Sequence, residues 1–478
     1  MRIRAMVVAG MVGIGLGAAA TGQAAPTREM LSASVFDDFL ERAVESTGLP
    51  GVSAVITHRG EVVHTGGYGR DSAGAAVTER TPMRVASLTK AFTAMAVMIA
   101  VEDGVIDLDR PVVEQLPDFR TGDSRSDRIT VRHLLNQTSG LADSTVDIRA
   151  TESADSLEQY VATLRTARLA AEPGTRWAYS NVNYNLAARL VEVVSGREFG
   201  DYLRERIFAQ LGMNESALGD ETLHPAQGFN SLFGRWIARR ELPGFLDASG
   251  SGGVITTAAD MGRWLISQTG SGPQLVTEEN LTVMHTPSPV RDYGMGWGLE
   301  PADGGSLLTH SGNLFTYTAA AAVDPTSGYG FAVLTNSAAL HDDTYEILSG
   351  LVALSRGEEP EIPGGGRQWT ERVLAVITVG ALGLGVAGVL RSRRWAGSRE
   401  SSRWWSTALR CVPALMPILL FASYPQALSV LMNGRTVTWA QLTYFPAPLS
   451  IVLLTCALAG AVTLTARLTH LRSLSSTR

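Results

Sequence analysis

Lys90 is the one lysine in a chain of 478 residues that carries 40 lysines and arginines in all. It stands three residues after Ser87, in the stretch RVASLTKAFTAM, residues 84–95. If Ser87 opens a helix, Lys90 lies one turn further on the same face, with its amine in reach of the serine hydroxyl. A serine hydroxyl is a poor nucleophile until a base takes its proton. Lysine can be that base if its pKa falls from about 10.4 toward 7, at a cost of about 4–5 kcal/mol. Burial or the positive end of a helix can supply that much. Arginine cannot do so, because it stays protonated in proteins. A chain that uses arginine wherever charge suffices has kept lysine where a removable proton would matter. S-x-x-K by itself is short enough to arise by chance, and a lysine near a helix start is commonly solvated, so partners are required.

Two further stretches offer partners. In PGTRWAYSNVNY, Tyr179, Ser180 and Asn181 precede a helical pattern. Asn181 is either that helix's N-cap or a group that holds a substrate carbonyl, while Tyr179 would relay protons between Ser87, Lys90 and a leaving group. In LLTHSGN, residues 307–313, a strand ends in His310, Ser311, Gly312 and Asn313. Either this is a strand entering a turn, or its polar edge borders the site, with Gly312 admitting a close backbone approach. Phe315 and Tyr317 shape an apolar pocket or belong to the core. The GDS of residues 122–124 sits in polar GDSRSD and reads as a loop, and no GxSxG elbow is present.

The elements that would position these residues are legible in outline. Residues 33–48 read as an opening helix, and GVSAVITHRGEVVHTGGYG reads as a hairpin turning at His58-Arg59-Gly60. Helical patterns follow at 87–102, in ITVRHLLNQTSG, in NVNYNLAARLVEVVSG and in DYLRERIFAQLG. SLLTH, TYTAAAAVD and GYGFAVLTN read as strands, and a last helix covers about residues 340–355. Strands at both ends with helices between them predict an α+β domain: an antiparallel sheet with an inserted helical region.

SLTK, YSN and HSG, in this order and at these separations, resemble the three motifs of the serine β-lactamase and penicillin-binding-protein superfamily. The Y-x-N form is similar to its class C β-lactamase, D,D-carboxypeptidase, D-aminopeptidase and esterase branch (peptidase S12-like). ITVRHLLNQTSGL, SGREFGDYLRERIFAQLGM, SGGVITTAADM and YGMGWGL extend the likeness over about residues 35–350. The resemblance implies a β-lactamase/transpeptidase-like fold. It makes Ser87 the acylated nucleophile, Lys90 and Tyr179 the acid/base pair and Asn181 a substrate contact, alongside His310, Ser311, Gly312 and Asn313. The backbone N–H groups of Ser87 and Asn313 would form the oxyanion hole. It implies no cofactor. The third motif often reads Lys-Thr-Gly, its lysine helping to bind the carboxylate of penicillins or D-Ala-D-Ala. Here His310 takes that place, and histidine is mostly neutral at pH 7. An esterase or D-peptidase is therefore expected rather than a true β-lactamase, unless Arg291 substitutes for the lysine.

The rest of the chain addresses location. It is 45% hydrophobic and 18% charged, more apolar than a typical soluble protein, and the excess lies at the ends. MRIRAMVVAGMVGIGLGAAATGQAAP has the charge, apolar core and A-x-A pattern of a signal peptide, residues 1–25, and an uncleaved anchor is the alternative. A catalytic domain is expected over 26–357 and a Pro/Gly-rich linker over 358–371. A membrane domain over 372–478 would have three transmembrane helices, at about 373–390, 411–432 and 447–466. From residue 372 onward there are 11 arginines and one acid, Glu400. Five of those arginines lie in RSRRWAGSRESSRWW, after the first apolar run, and one, Arg435, between the second and third. The positive-inside rule then predicts a multi-pass cell-membrane protein with the domain outside the cytoplasm and the C-terminus inside. Trp395, Trp404, Trp405, Trp439 and Tyr444 fall where interfacial aromatic residues are expected. The arginines flank apolar runs rather than forming a basic face, so no nucleic-acid partner is expected. Cys411 and Cys456 are the only cysteines and both lie in the tail, and the histidines lack metal spacing, so no metal site is expected. The expected partners are the membrane and a small-molecule or peptide substrate, with cell-wall peptides among the candidates. Two readings follow: a membrane-anchored hydrolase acting by acyl-enzyme on an ester, amide or D-amino-acid peptide bond, or an idle β-lactam or peptidoglycan sensor on the same anchor.

Overall fold

The computed structural model describes residues 32–242, 244, 249–302, 305–399, 402–432 and 435–476. The expected signal peptide lies outside the described residues. GVSAVITH and the glycine-rich run after Arg59-Gly60 form the hairpin β1 (Gly51–His58) and β2 (Glu61–Gly69). Arg59 and Gly60 both have positive φ, 48° and 88°, as a tight hairpin turn needs. Four later strands complete the sheet: β3 (Gly298–Ala302), β4 (Gly305–Asn313), β5 (Thr318–Asp324) and β6 (Tyr329–Thr335). Their order is β2-β1-β6-β5-β4-β3, antiparallel throughout.

Strand periodicity gives the sheet two apolar faces. Val52, Ala54, Ile56, Phe331 and Val333 point to one side, where they pack with Phe36, Phe39 and Leu40 of α1 (Ala33–Thr47) and Ile347 and Leu351 of α5 (Asp343–Ser355). Val55, Ala319, Ala321, Ala332 and Leu334 point to the other, against Met261, Trp264 and Leu265 of α4 (Ala258–Gln268) and the helical region. Between sheet and helical region runs α2 (Thr89–Glu102), which is buried from Thr89 through Ala100, the pattern of a helix enclosed on all sides. Beside it lies α3 (Asn181–Ser195). This is the expected α+β, β-lactamase/transpeptidase-like architecture.

The tail departs from expectation in two places. Two helices, α6 (Gly366–Gly397) and the Ala447–Leu474 stretch of α9 (Ala447–Ser476), are long and apolar enough to cross a membrane. The expected middle span is a pair, α7 (Val412–Ala422) and α8 (Tyr424–Leu431), bent by 64°, which makes a third crossing if the bent pair counts as one span. Pro417 within α7 and Pro425 at the start of α8 remove backbone donors on either side of the break. The other departure is the linker, whose end is helical and docked. Arg367, in the first turn of α6, is buried and donates to Thr47 O (2.7 Å) and Ser231 Oγ (2.9 Å), with Asp343 Oδ2 3.4 Å from its Nε.

Candidate active site

The first motif sits on a bent entrance to α2. Residues 86–88 form a 3-10 turn, and Ala86, just before the serine, has φ 50°. A left-handed alanine costs about 1–2 kcal/mol, so the surrounding packing must impose it. Val85 N donates to Val254 O (3.1 Å), and Gly312 of β4 lies directly against the turn. A Cβ on Gly312 would fall 2.3 Å from Val85 O and 3.1 Å from Ser87 N. The third motif's glycine is thus required by the approach of β4 to the turn that carries Ser87.

Lys90 is wholly buried, and three oxygens surround its Nζ: Ser251 O at 2.7 Å, Asn181 Oδ1 at 2.9 Å and Ser87 Oγ at 3.0 Å. A neutral amine satisfies all three contacts, donating its two protons to the carbonyl oxygens and accepting the Ser87 hydroxyl proton with its lone pair. Burial holds the Lys90 pKa well below the ordinary lysine value. The positive charge of Arg435 adds to this, and Asp143 opposes it. The Tyr179 ring centroid is 4.8 Å from Nζ, and burial raises the Tyr179 pKa against the opposing effects of Arg435 and a Ser87 hydrogen bond.

His310 completes the cluster in a neutral form. Its Nδ1 is 2.7 Å from Ser311 O and its Nε2 is 3.3 Å from Tyr293 Oη, which fits Nδ1–H donating and Nε2 accepting. Burial, with the neighbouring Lys90, depresses its pKa to about 3. Arg291 is not among the described residues that line the cavity in front of Ser87, and its guanidinium stacks 5.2 Å from the Trp177 ring centroid. Tyr317 is core, while Phe315 lines the cavity in front of Ser87. That cavity holds about 150 Å³ and also includes Asn181, Ser251 and Asn313. A larger cleft of about 640 Å³, lined by Asp155, Glu198, Asp201 and Arg204, includes neither Ser87 nor Lys90.

One expectation at the second motif is corrected. Asn181 is the first residue of α3, and Ser180 is its N-cap, accepting from Val182 N at 3.4 Å. The amide of Asn181 is thereby freed to face Lys90. Sequence reasoning also missed the groups that hold the motifs in place. Gln137, with φ 62°, accepts from Ser180 N (3.1 Å) and Asn183 Nδ2 (2.5 Å), and its own carbonyl accepts from Ala178 N (2.9 Å). Ser251 presents its carbonyl to Lys90 because Asn185 Oδ1 accepts from Ser251 N (3.1 Å) and Ser249 Oγ (3.1 Å). Both lie in stretches that carry the family likeness, ITVRHLLNQTSGL and SGGVITTAADM, but nothing local marks their roles. Among the described residues, His341, Asp343 and Glu346 lie close enough to hold a metal ion, and Asp343 is already beside Arg367.

The pH dependence follows from these environments. If Lys90 accepts the Ser87 proton it must be unprotonated, and activity should then rise with pH through its lowered pKa, below the ordinary lysine range. The groups that face it are Ser87, Tyr179, Tyr184, Asn181, His310, Asp143 and Arg435. His310 stays neutral above about pH 3 and should add no inflection near pH 6.5. A pH–rate profile that compares wild type with His310→Asn should show the same limb in both. A limb near pH 6.5 lost in the variant would contradict this.

A serine beside a buried lysine, under a strand edge of an antiparallel sheet, defines the serine hydrolase superfamily of the β-lactamase and penicillin-binding-protein kind. The chain belongs to the Beta-lactamase family, whose model matches residues 36–353. Among similar proteins is "Protein flp" of Staphylococcus aureus, 25% identical over 312 residues, 63% of this chain and 62% of that one. The unguisins hydrolase ungD' of Aspergillus campestris is 24% identical over 337 residues, 65% of this chain and 62% of that one. The chain therefore spans just under two thirds of the length of these relatives. The octameric penicillin-binding protein homologue from Pyrococcus abyssi superposes with a TM-score of 0.60 at 27% identity, covering 72% of this chain and 82% of that one.

Proposed function

We propose that this protein is a membrane-anchored serine hydrolase with its catalytic domain outside the cytoplasm, acting through an acyl-enzyme on an ester, amide or D-amino-acid peptide bond. The buried Lys90 amine, in contact with Ser87 Oγ while two carbonyl oxygens take its protons, carries this reading. Ser87 Oγ attacks the carbonyl carbon and Lys90 accepts its proton. The N–H groups of Ser87 and Asn313 stabilise the oxyanion, and Tyr179 passes the proton to the leaving group. Water, activated by the same pair, then releases the acyl group. The neutral His310 cannot offer a substrate carboxylate the charge that the third motif's lysine would supply. The hydrolase name of a relative supports the reaction class. The apolar helices and the arginine asymmetry of the tail support the location.

Intact-mass analysis of the full chain in detergent, after treatment with a fluorophosphonate and separately with a penicillin, tests the reading. One fluorophosphonate adduct is expected on wild type and none on Ser87→Ala. A stable penicillin adduct would redirect the reading to a sensor or a cell-wall peptidase, and the absence of any Ser87-dependent adduct would sink it.

A further inference from the structure

The segment between α8 and α9 folds back onto the catalytic domain. Thr436 Oγ1 donates to Asp143 O (3.3 Å), and Gln441 Nε2 to Glu152 Oε1 (3.3 Å). Arg239 donates to Thr443 O and stacks 3.7 Å from the Tyr444 ring centroid, while Phe315 of the cavity wall lies 5.5 Å from that ring. Leu442 and Tyr444 are buried. Together with the docked Arg367, the tail is held to the domain at two separated points.

This segment places Arg435 in the cavity. Arg435 is the only charged residue between α8 and α9. Its guanidinium carbon lies 5.5 Å from the Tyr179 ring centroid, and its Nε is 3.9 Å from Asp143 Oδ2. Asp143 Oδ1 in turn accepts from Ser180 Oγ at 2.9 Å. Arg435 lines the same cavity as Ser87, Asn181 and Asn313, and it is the only cation among the described lining residues. Its side chain is 39% exposed, and its guanidinium makes no hydrogen bond to a described group. A guanidinium has five N–H donors in a fork that matches a carboxylate, and one long ion pair leaves most of them open. The other basic groups near the serine cannot serve: His310 is neutral, and Lys90 must be neutral for the chemistry. On the outer side of a membrane, moreover, the positive-inside rule supplies no reason for an arginine.

We propose that Arg435, carried by the membrane segment, completes the substrate site of the catalytic domain and selects substrates that bear a carboxylate near the scissile carbonyl. The inference rests on the hydrolase reading above and adds a substrate class to it. It also gives the tail a role beyond attachment, because the site is incomplete in the catalytic domain alone. The positive charge of Arg435 further favours the neutral form of Lys90.

The test uses the full chain in detergent and two matched ester pairs. 4-Nitrophenyl acetate against 4-nitrophenyl hydrogen succinate places the carboxylate on the acyl side. Phenyl acetate against 3-acetoxybenzoate places it on the leaving group. In at least one pair, wild type should prefer the carboxylate ester, and Arg435→Ala should lower the ratio of kcat/KM values, carboxylate over neutral, by about tenfold or more. Arg435→Lys, which keeps the charge, should retain most of that ratio. An acid limb displaced to higher pH in Arg435→Ala would add support. A ratio unchanged by Arg435→Ala in both pairs would overturn the proposal, as would a wild type that takes fluorophosphonate at Ser87 yet prefers neither carboxylate ester. Loss of the Ser87 adduct itself would point instead to failure of the hydrolase reading.

Discussion

Lys90→Arg should lower the rate of Ser87 acylation by three orders of magnitude or more, with the protein still folded. Positioned general bases contribute roughly 10²–10⁴ in rate, and arginine keeps the charge while giving up the removable proton. The substitution also brings a fixed cation to a position with no exposure, among Ser251 O, Asn181 Oδ1 and Ser87 Oγ, so some loss of stability is expected as well. Lys90→Ala separates the two effects, because it removes the base without adding charge. Its acylation rate should fall by a similar factor, and small primary amines such as methylamine should restore part of it. Fluorophosphonate labelling over time, with circular dichroism as the folding control, measures both. Near-wild-type labelling by folded Lys90→Arg would remove lysine from the base role and leave its solitary place in the chain unexplained.

Gly312→Ala should cost activity by about a hundredfold through geometry alone. The added Cβ meets Val85 O at 2.3 Å and Ala86 Cβ at 3.0 Å, and both atoms belong to the rigid turn that holds Ser87. Strand β4 must withdraw, and with it the N–H of Asn313, which is paired in register with Thr318 of β5. Loss of one oxyanion donor is worth about 10²–10³ in kcat. Overpacking of this kind typically costs about 1–3 kcal/mol, so thermal unfolding should also shift down by several degrees. The kinetic signature is a fall in kcat with KM little changed, since the contact matters most when the oxyanion forms. A variant with wild-type kcat would show that β4 does not contribute a donor.

These expectations draw on two kinds of information. Where a feature depends on a few neighbouring residues, the chain displays it directly. Ser87 and Lys90 share a face because three positions make about one helical turn, and Lys90 stands out as the one lysine in an arginine-rich chain. The hairpin at Arg59-Gly60, the period-2 strands around Phe331 and the apolar runs of the tail are local in the same sense. Other features exist only because distant segments meet. Ser251 closes on Lys90 from 161 residues away, and Thr436 reaches Asp143 across 293. Neither residue differs locally from any other serine or threonine in a loop. The left-handed Gln137 and Ala86 carry no glycine signal, since packing rather than propensity sets their backbone. The N-cap fell on Ser180 rather than Asn181 because two adjacent capping residues are equivalent until Lys90 engages the amide of one. The sequence by itself thus determined the Ser87–Lys90 pairing, the sheet and the apolar tail, because short-range periodicity and turn chemistry encode them. The tertiary structure decided what surrounds that pair, including an arginine from the tail. Long-range contacts depend on the whole chain's packing and leave no local pattern to read.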